Sequence, residues 1–216
     1  MLSKKMLLNA AKLYLILDRD VNSYEELFEI AGKAVASGVD IIQLRDKNGS
    51  AKDILDFSKN ILKVIKGRIP YIINDRVDLA VVSGSSGVHL GQDDVPIMQA
   101  RKMMREAAVI GASCQTYDQA QKAQKEGADY IGFGSVFKTL TKPDRQPLEL
   151  ELLKKVFKDI EIPVFAIGGI DLKNVIQLKN IGVNRIAVCR AICEAADVGK
   201  TVQQFKNHME QVVVTG

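Results

Sequence analysis

Three stretches decide the fold: AVASGVDIIQLR at 34–45, AQKEGADYIGFG at 123–134 and LKNIGVNRIAVCR at 178–190. In each, a segment with helical periodicity ends at a glycine, and an apolar, β-rich run begins two or three residues later. A glycine at the end of a helix supplies a left-handed C-cap, which lets a short loop turn directly into a strand. The repeated junction predicts a chain built of alternating helices and strands.

The same alternation extends over the whole chain. Predicted strands occupy the runs at 13–18, 40–46, 70–75, 87–92, 109–114, 130–137, 163–169 and 185–192. Helical periodicity marks the segments at 23–38, 50–66, 118–127, 148–159 and 171–182. No Pro/Ser-rich linker or charge block divides these units, so the pattern predicts an α/β fold. We expect a single-domain (β/α)8 TIM barrel over residues 1–216, with a short N-terminal extension before the first strand at about residue 13.

A doubly wound open sheet is the competing architecture. Its phosphate loop would require a glycine-rich turn directly after the first strand. This chain has LDRDVNS at 17–23 in that place, so the barrel is favoured.

Composition restricts the class of protein and of partner. The 216 residues are 47% apolar and 26% charged, which is typical of a globular chain and not of a disordered, collagenous or coiled-coil one. The net charge of +4 is scattered over mixed-sign faces, which favours small anionic ligands over nucleic acid. No stretch has membrane-spanning length and no clear export signal is present, so we expect a cytoplasmic protein with no membrane partner. An odd set of cysteines fits reduced, structural thiols: Cys114, Cys189 and Cys193. A homo-oligomer is compatible with this composition.

Cationic side chains follow the second predicted strand. Gln43, Arg45 and Lys47 share one face because strand side chains alternate, while Ile42 and Leu44 point the other way, toward helices. In a barrel, the carboxyl ends of the strands carry the active site. Two cations there predict an anionic ligand, with solvated rim charges as the alternative.

Carboxylates follow the third and fourth predicted strands. Asp75 together with Asp93 or Asp94 would suit Mg²⁺, which is usually held by one or two protein carboxylates with substrate phosphate and water. The alternative is helix capping, by Asp75 for the segment after it and by Asp94 for a helix that begins near Pro96.

Two later loops offer phosphate contacts. The loop at 134–143 places hydroxyls two residues apart with a lysine directly behind them, and it could close over a phosphate or be a mobile polar loop without a ligand. Gly168 and Gly169 end the seventh strand, where backbone N–H groups of a barrel often bind phosphate. A tight turn would require the same glycines. The histidines predict no chemistry, because His89 lies inside a strand as a hydrogen-bonded core residue and His208 lies on the last amphipathic helix.

Taken in order, a set of motifs resembles the thiamine phosphate synthase family over nearly the whole chain: QLRDK, INDRVDLA, GVHLGQDD, GASCQT, FKTLTKPD, AIGGI and AVCRAI. The resemblance implies a transferase. It would join 4-amino-5-hydroxymethyl-2-methylpyrimidine diphosphate to 4-methyl-5-hydroxyethylthiazole phosphate with Mg²⁺, through a pyrimidine carbocation. Carried over by motif, the diphosphate contacts are Gln43, Arg45, Lys47, Ser113 and Lys142, with Arg45, Lys47 and Lys142 assisting catalysis. The resemblance further implies a pyrimidine contact at Asn74, metal ligands at Asp75 and Asp94, and a thiazole-phosphate site at Thr139, Thr141, Gly169, Cys189 and Arg190.

The chain departs from the family pattern at four positions. Arg190 stands where the family usually has serine, which predicts a different hold on the thiazole phosphate. Gln115 replaces a frequent histidine and Ser135 a frequent proline, and Glu149 stands where glycine is common. These departures leave open a thiazole tautomerase, a non-catalytic barrel that binds a phosphorylated ligand and, third, a sugar-phosphate isomerase or epimerase. The tautomerase would require neither Asp75 nor Asp94 as a metal ligand.

Overall fold

The chain folds into a closed barrel of eight parallel strands. The structure is a computed structural model that describes residues 3–139 and 146–210. Each strand pairs with the next, and the last pairs with the first. The strands are β1 (Leu13–Asp18), β2 (Ile41–Arg45), β3 (Tyr71–Asn74), β4 (Gly87–Leu90), β5 (Val109–Cys114), β6 (Tyr130–Phe133), β7 (Val164–Ile167) and β8 (Ile186–Val188). The predicted single-domain (β/α)8 barrel is confirmed.

Helices surround the barrel and connect its strands. They are α1 (Lys4–Ala10), α2 (Tyr24–Ala36), α3 (Ala51–Ile65), α4 (Val77–Ser83), α5 (Ile97–Met103), α6 (Tyr117–Lys125), α7 (Leu150–Asp159), α8 (Val175–Asn180), α9 (Arg190–Cys193) and α10 (Val198–Glu210). No helix in the described ranges is long and apolar enough to cross a membrane.

Strand alternation separates two apolar layers. On β1, Leu13, Leu15 and Leu17 pack outward against the helices, while Tyr14 and Ile16 point into the barrel. Helix α1 lies before the first strand, and its Leu8 packs into the inner layer, so the N-terminal extension is part of the core. Large inner side chains fill the barrel below its carboxyl-terminal mouth and leave the space above them for a ligand.

The glycine junctions form as predicted. Gly38, Gly127 and Gly182 follow α2, α6 and α8 with φ of 96°, 88° and 90°. Only glycine adopts this left-handed conformation without steric cost, so these residues end their helices and redirect the chain into β2, β6 and β8.

Several predicted boundaries are wrong. Strand β6, expected over 130–137, ends at Phe133, and the Ser135 hydroxyl donates to the Phe137 carbonyl in the loop that follows. The helix expected over 171–182 covers only Val175–Asn180, because the Asp171 side chain accepts the N–H groups of Lys173 and Asn174 and forms a turn. Strand β8 ends at Val188, and Arg190 instead begins the short helix α9, in which the Cys189 carbonyl accepts from Ile192 and Cys193. Strand β2 ends at Arg45, so Lys47 lies in the turn beyond it.

Candidate active site

A cavity of about 540 Å³ opens at the carboxyl ends of the strands. It is lined by eleven of the residues expected from the sequence: Gln43, Arg45, Lys47, Asn74, Asp75, Asp94, Ser113, Thr139, Gly169, Cys189 and Arg190. The other two expected residues, Thr141 and Lys142, lie outside the described residues. One cavity therefore brings together side chains from seven of the eight strand ends and their loops.

Arg45 is held by two carboxylates that the sequence reading overlooked. Its Nη1 donates to both oxygens of Asp18, at 2.8 and 2.9 Å, and to Asp20 at 2.9 Å. Burial lowers the pKa of Arg45, because it disfavours the charged guanidinium. The negative charge of Asp18 and the hydrogen bonds to both carboxylates raise the pKa by more, so the net shift is upward. We name these three residues the Arg45 cluster. All of these bonds use Nη1, which leaves the rest of the guanidinium for a ligand.

Lys47, Asp75 and Asp94 form a second group, which we name the Asp75 cluster. Lys47 Nζ lies 3.1 Å from Asp75 Oδ2. Burial and a hydrogen bond to the Asp94 carboxyl raise the pKa of Asp75, while Lys47 acts in the opposite direction. Two adjacent carboxylates share one half-exposed lysine, an arrangement that suits a divalent cation. Within the described parts of the chain, no group of three or more His, Cys, Asp or Glu residues surrounds a metal position, so protein ligands would be limited to this pair.

Backbone geometry places Asp75 in the mouth. Its φ of 60° is left-handed, a conformation that costs a non-glycine residue about 1–3 kcal/mol. The Asp75 N–H donates to the His89 carbonyl at 2.8 Å, which ties the turn after β3 to β4. Strain of this kind is retained where the position of a side chain matters.

Helix capping does not explain either carboxylate. The N-caps of α4 and α5 are Arg76 and Pro96, and neither makes a side-chain capping bond. Asp94 Oδ2 instead accepts the Gly91 N–H at 2.6 Å within its own loop. The capping alternative is therefore wrong for Asp75 and for Asp94.

The floor of the cavity is a chain of neutral polar groups. His89 contacts Ser113 Oγ through Nε2 at 2.9 Å and Tyr130 OH through Nδ1 at 3.0 Å. Tyr130 OH lies 2.8 Å from Tyr14 OH, which donates to Gln43 Oε1 at 3.1 Å. The expectation that His89 is a hydrogen-bonded core residue is confirmed, but the same side chain also lines the cavity.

The loops after β6 and β7 pack tightly on each other. Gly168 and Gly169 have φ of 105° and 64°, and a Cβ on Gly169 would lie 2.3 Å from the Lys138 carbonyl oxygen. The Phe137 N–H donates to the Gly168 carbonyl at 3.0 Å. The glycine pair therefore serves this close approach as well as the turn.

Arg190 and Glu194 stand on the β8 side of the mouth. The Arg190 guanidinium pairs with the Glu194 carboxylate one helical turn later. Its Nε is buried without a hydrogen-bond partner among the described residues. Since a buried donor without a partner costs free energy, this arrangement suits an anion that approaches from the cavity.

Cys114 and Cys189 carry no activated thiol. Burial raises the pKa of Cys114 to about 12. A hydrogen bond to Cys193, followed by burial, raises the pKa of Cys189. All three cysteines are free, and thiols with raised pKa are poor nucleophiles at neutral pH.

Two of the three remaining departures have local structural roles, and nothing in the structure explains the third, Glu149. The Ser135 hydroxyl donates to the Phe137 carbonyl at 2.7 Å and shapes the loop after β6. The Gln115 N–H donates to Gln119 at the start of α6. Glu149 is the N-cap of α7 but makes no side-chain capping bond there.

The sequence reading missed the charged partners Asp18, Asp20 and Glu194. Asp18 ends the run LYLILD, and its parity with Tyr14 and Ile16 places it inside the barrel. That alternation was a usable signal. Glu194 follows Arg190 by four residues, a spacing that indicates an ion pair only if those residues are helical, as they are in α9.

Fold and site together define a (β/α)8-barrel enzyme with a mouth that carries cations and paired carboxylates for anionic ligands. The family model for thiamine monophosphate synthase matches residues 13–192. Thiamine-phosphate synthase from Ruminiclostridium cellulolyticum is 39% identical over 194 residues, 89% of this chain and 92% of that protein. The Fusobacterium nucleatum thiamine-phosphate synthase is 40% identical over 199 residues, 92% of this chain and 97% of that protein.

A solved structure agrees with these relatives. Thiamine phosphate pyrophosphorylase from Pyrococcus furiosus superposes with a TM-score of 0.84 at 34% identity, covering 95% of this chain and 97% of that one. The chain belongs to the thiamine monophosphate synthase family, and it is an enzyme of the transferase class.

Proposed function

We propose that the cavity joins the pyrimidine diphosphate named above to the thiazole phosphate, giving thiamine phosphate and diphosphate. The observation that carries this proposal is the combination, in one mouth, of the Arg45 and Asp75 clusters with the separate cation Arg190. A substrate with a diphosphate and a second with a single phosphate would match two separate cationic positions in the cavity, one after β2 and one after β8.

The diphosphate is bound on the β2 and β3 side. Arg45 and Lys47 supply charge-assisted hydrogen bonds, which are stronger than neutral ones. Asn74, on the adjacent strand end, contacts the pyrimidine, and Ser113 lies where it can contact the same substrate. Lys142, expected to act with them, lies outside the described residues.

Mg²⁺ is the cation that we propose for the Asp75 cluster. The fit rests on the donor set, because Asp75 and Asp94 both line the cavity and Lys47 makes the one cationic contact recorded for Asp75 among the described residues. Burial, followed by the hydrogen bond to Asp94, raises the pKa of Asp75. Asp75 and Asp94 would hold the ion with diphosphate oxygens and water completing its shell. When bound, Mg²⁺ neutralises charge that develops on the leaving diphosphate.

The reaction breaks the bond between the pyrimidine methylene carbon and the diphosphate oxygen, and the electron pair leaves with the oxygen. The electron-rich aminopyrimidine stabilises the resulting cation, and the thiazole nitrogen attacks it. Arg45 and Lys47 stabilise the leaving group as its negative charge develops. No proton has to be removed in this step, so no histidine base is required.

The thiazole phosphate is bound on the β7 and β8 side. Gly169, Cys189 and Thr139 line this part of the cavity, and Thr141 is expected to join them from outside the described residues. Arg190 takes the place of a hydroxyl, and we propose that its guanidinium donates to the phosphate in exchange for part of its pairing with Glu194. Its role is to bind and orient the nucleophile.

A tautomerase or a non-catalytic phosphate-binding barrel would leave the strained, carboxylate-rich Asp75 cluster without a purpose. An isomerase or epimerase would leave the diphosphate-sized group of cations unexplained. We place the proposed reaction in the cytoplasm, because its substrates are charged phosphates and three free thiols fit a reducing compartment.

The test is to incubate the purified protein with both substrates and to detect thiamine phosphate and diphosphate by mass spectrometry, with Mg²⁺ and with a chelator. We expect both products with Mg²⁺ and neither with the chelator. Binding of both substrates without any product would contradict the proposal.

A further inference from the structure

Five side chains cross the barrel in one continuous hydrogen-bonded chain, which we name the floor relay: Ser113, His89, Tyr130, Tyr14 and Gln43. Tyr14 is 2% exposed and Tyr130 is fully buried. Ser113, His89 and Gln43 line the cavity above them. Both ends of the relay therefore reach the place where a ligand binds, and its middle does not.

With the Gln43 amide oxygen placed toward Tyr14, as in the structure, the direction of each proton in the relay follows from that end. Gln43 Oε1 can only accept, so Tyr14 OH must donate to it. Tyr14 has one hydroxyl proton, so its oxygen accepts from Tyr130 OH. Tyr130 has then used its own proton, and its oxygen accepts from His89 Nδ1–H. In a neutral imidazole, Nε2 is then an acceptor, and it receives the Ser113 hydroxyl proton.

We propose that His89 is a positioning residue that, as the neutral Nδ1–H tautomer, aligns the floor relay so that Gln43 turns its Nε2 amide group toward the cavity. With Nδ1 of His89 protonated, Tyr130 donates to Tyr14 and Tyr14 donates to Gln43, so a flip of the carboxamide would set its NH2 group against the Tyr14 proton. With Nε2 protonated instead, the relay could reverse and the flip would cost nothing, so the His89 tautomer is what fixes Gln43. Gln43 then offers donors, and only donors, to an acceptor atom of the substrate. The identity of that substrate as the pyrimidine diphosphate rests on the proposed function.

A role in packing alone does not account for the relay. Apolar side chains of the inner layer surround the two tyrosines, among them Ile16, Ile72, Val109 and Phe165. Buried polar groups in such surroundings are costly unless each has its partner, and two phenylalanines would fill the same volume without that requirement. The free-energy cost of burying these polar groups is offset where the two ends of the relay bind a ligand. When a diphosphate oxygen accepts the Ser113 hydroxyl proton, Ser113 no longer donates to His89 Nε2. The tautomer proposed here is therefore that of the protein before this substrate binds.

The tautomer can be read directly by NMR of the ligand-free protein. Only two histidines are present, His89 and His208, so ¹⁵N-histidine labelling gives two ring systems, and His208→Gln assigns them. We expect His89 with Nδ1 protonated and Nε2 unprotonated at neutral pH. Tyr130→Phe removes the acceptor of the His89 Nδ1–H group, and we expect the population of the Nε2–H tautomer to increase. An Nε2–H or doubly protonated His89 in the wild-type protein would overturn the proposal.

The effect on the ligand is measured by calorimetry, which does not depend on turnover. Tyr14→Phe removes the bond that orients Gln43, and we expect binding of the pyrimidine diphosphate to weaken about tenfold. Binding of the thiazole phosphate should stay within about twofold. The matched control is Tyr71→Phe, which deletes another buried tyrosine hydroxyl, bonded to Ser58 at 2.9 Å outside the cavity, and should leave both affinities unchanged.

These measurements separate the proposal from the function on which it rests. A Tyr14→Phe protein that binds the pyrimidine diphosphate as the wild type does, or loses affinity for both ligands equally, would overturn the positioning role. A wild-type protein that binds no pyrimidine diphosphate would contradict the proposed function instead, and the tautomer would still be decided by NMR.

Discussion

The Arg45 cluster and the Asp75 cluster lie side by side in the mouth and contain the same kinds of group, one cation and two carboxylates each. In the Arg45 cluster, a mostly buried guanidinium makes three short bonds to Asp18 and Asp20. In the Asp75 cluster, a half-exposed lysine makes one contact with Asp75, and the two carboxylates face each other. In the Arg45 cluster the cation is paired with both carboxylates, whereas in the Asp75 cluster one lysine contacts only one of the two carboxylates.

This difference indicates that the two clusters have different functions. A completed ion pair holds its arginine in place before any ligand arrives, so Arg45 is preorganised for an anion. A pair of carboxylates without a full counterion is stabilised most when a cation binds. The chain therefore separates a fixed anion-binding group from a cation-dependent one, on neighbouring strand ends of the barrel.

The largest expected effect is on the folded state, through Asp18→Asn. The side chain of Asp18 is 1% exposed, and loss of its charge leaves Arg45 buried with only the exposed Asp20 as a counterion. We expect the free energy of unfolding to fall by about 3 kcal/mol, measured by urea denaturation. Asp20→Asn is the control, with an expected change below about 1 kcal/mol. Equal effects of the two variants would remove the distinction between a buried and an exposed partner.

Next in size is the effect of Arg190→Ser, which extends the comparison to a third cation. Arg190 resembles the Asp75 cluster, since its buried Nε has no partner among the described residues. We expect the affinity for the thiazole phosphate to fall about tenfold, which corresponds to loss of one charge-assisted bond. Calorimetry measures this, with the pyrimidine diphosphate as the ligand that should be unaffected. Tighter binding in Arg190→Ser would show that the arginine impairs the site.

Asp75→Asn tests the Asp75 cluster without any ligand. Because the pKa of Asp75 is raised in the folded protein, its folded state binds the proton more strongly than its unfolded state does. Wild-type stability therefore falls as pH rises from the ordinary aspartate pKa through the raised one. The amide carries no such cost, so we expect Asp75→Asn to be about 1 kcal/mol more stable at neutral pH.

The control for Asp75→Asn is the same comparison of stability at acidic pH. Below the ordinary aspartate pKa, both states of the wild-type carboxyl are protonated, and the stability advantage of Asp75→Asn should disappear. Urea denaturation at several pH values measures the difference. A destabilised Asp75→Asn protein at neutral pH would contradict the view that this cluster is short of positive charge.

The smallest expected effect belongs to Lys47→Met. Lys47 competes with a bound cation for Asp75, so its removal should tighten Mg²⁺ binding to the ligand-free protein about threefold, as expected for a partly exposed charge. Calorimetric titration with Mg²⁺ measures this. Lys52→Met removes a lysine from an exposed position on α3 and should leave Mg²⁺ binding unchanged. An equal change in both variants would reveal only an effect of net charge.

Much of the fold could be predicted because its signals are local. The glycine junctions at Gly38, Gly127 and Gly182 lie within one helix–strand unit each, and every predicted strand is present. The end of β8 was missed because the apolar run continues into α9 without a break in hydrophobicity. Hydrogen bonds to the Cys189 and Arg190 carbonyls mark the change from strand to helix there.

The candidate site divides in the same way. Gln43 and Arg45 could be placed from strand alternation, and the same rule would have placed Asp18 if the end of β1 had been read with it. The floor relay could not be read in this way. Tyr14 and Tyr130 are 116 positions apart, and their contact depends on closure of the barrel, which no local pattern encodes.

The most direct test of the account is the dependence of thiamine phosphate formation on Mg²⁺ concentration in the wild-type, Asp75→Asn and Asp94→Asn proteins. We expect the wild type to saturate with Mg²⁺, and both variants to require at least about tenfold more Mg²⁺ and to reach a lower maximal rate. Identical Mg²⁺ curves for all three proteins would contradict the assignment of the Asp75 cluster as the cation-dependent part of the site.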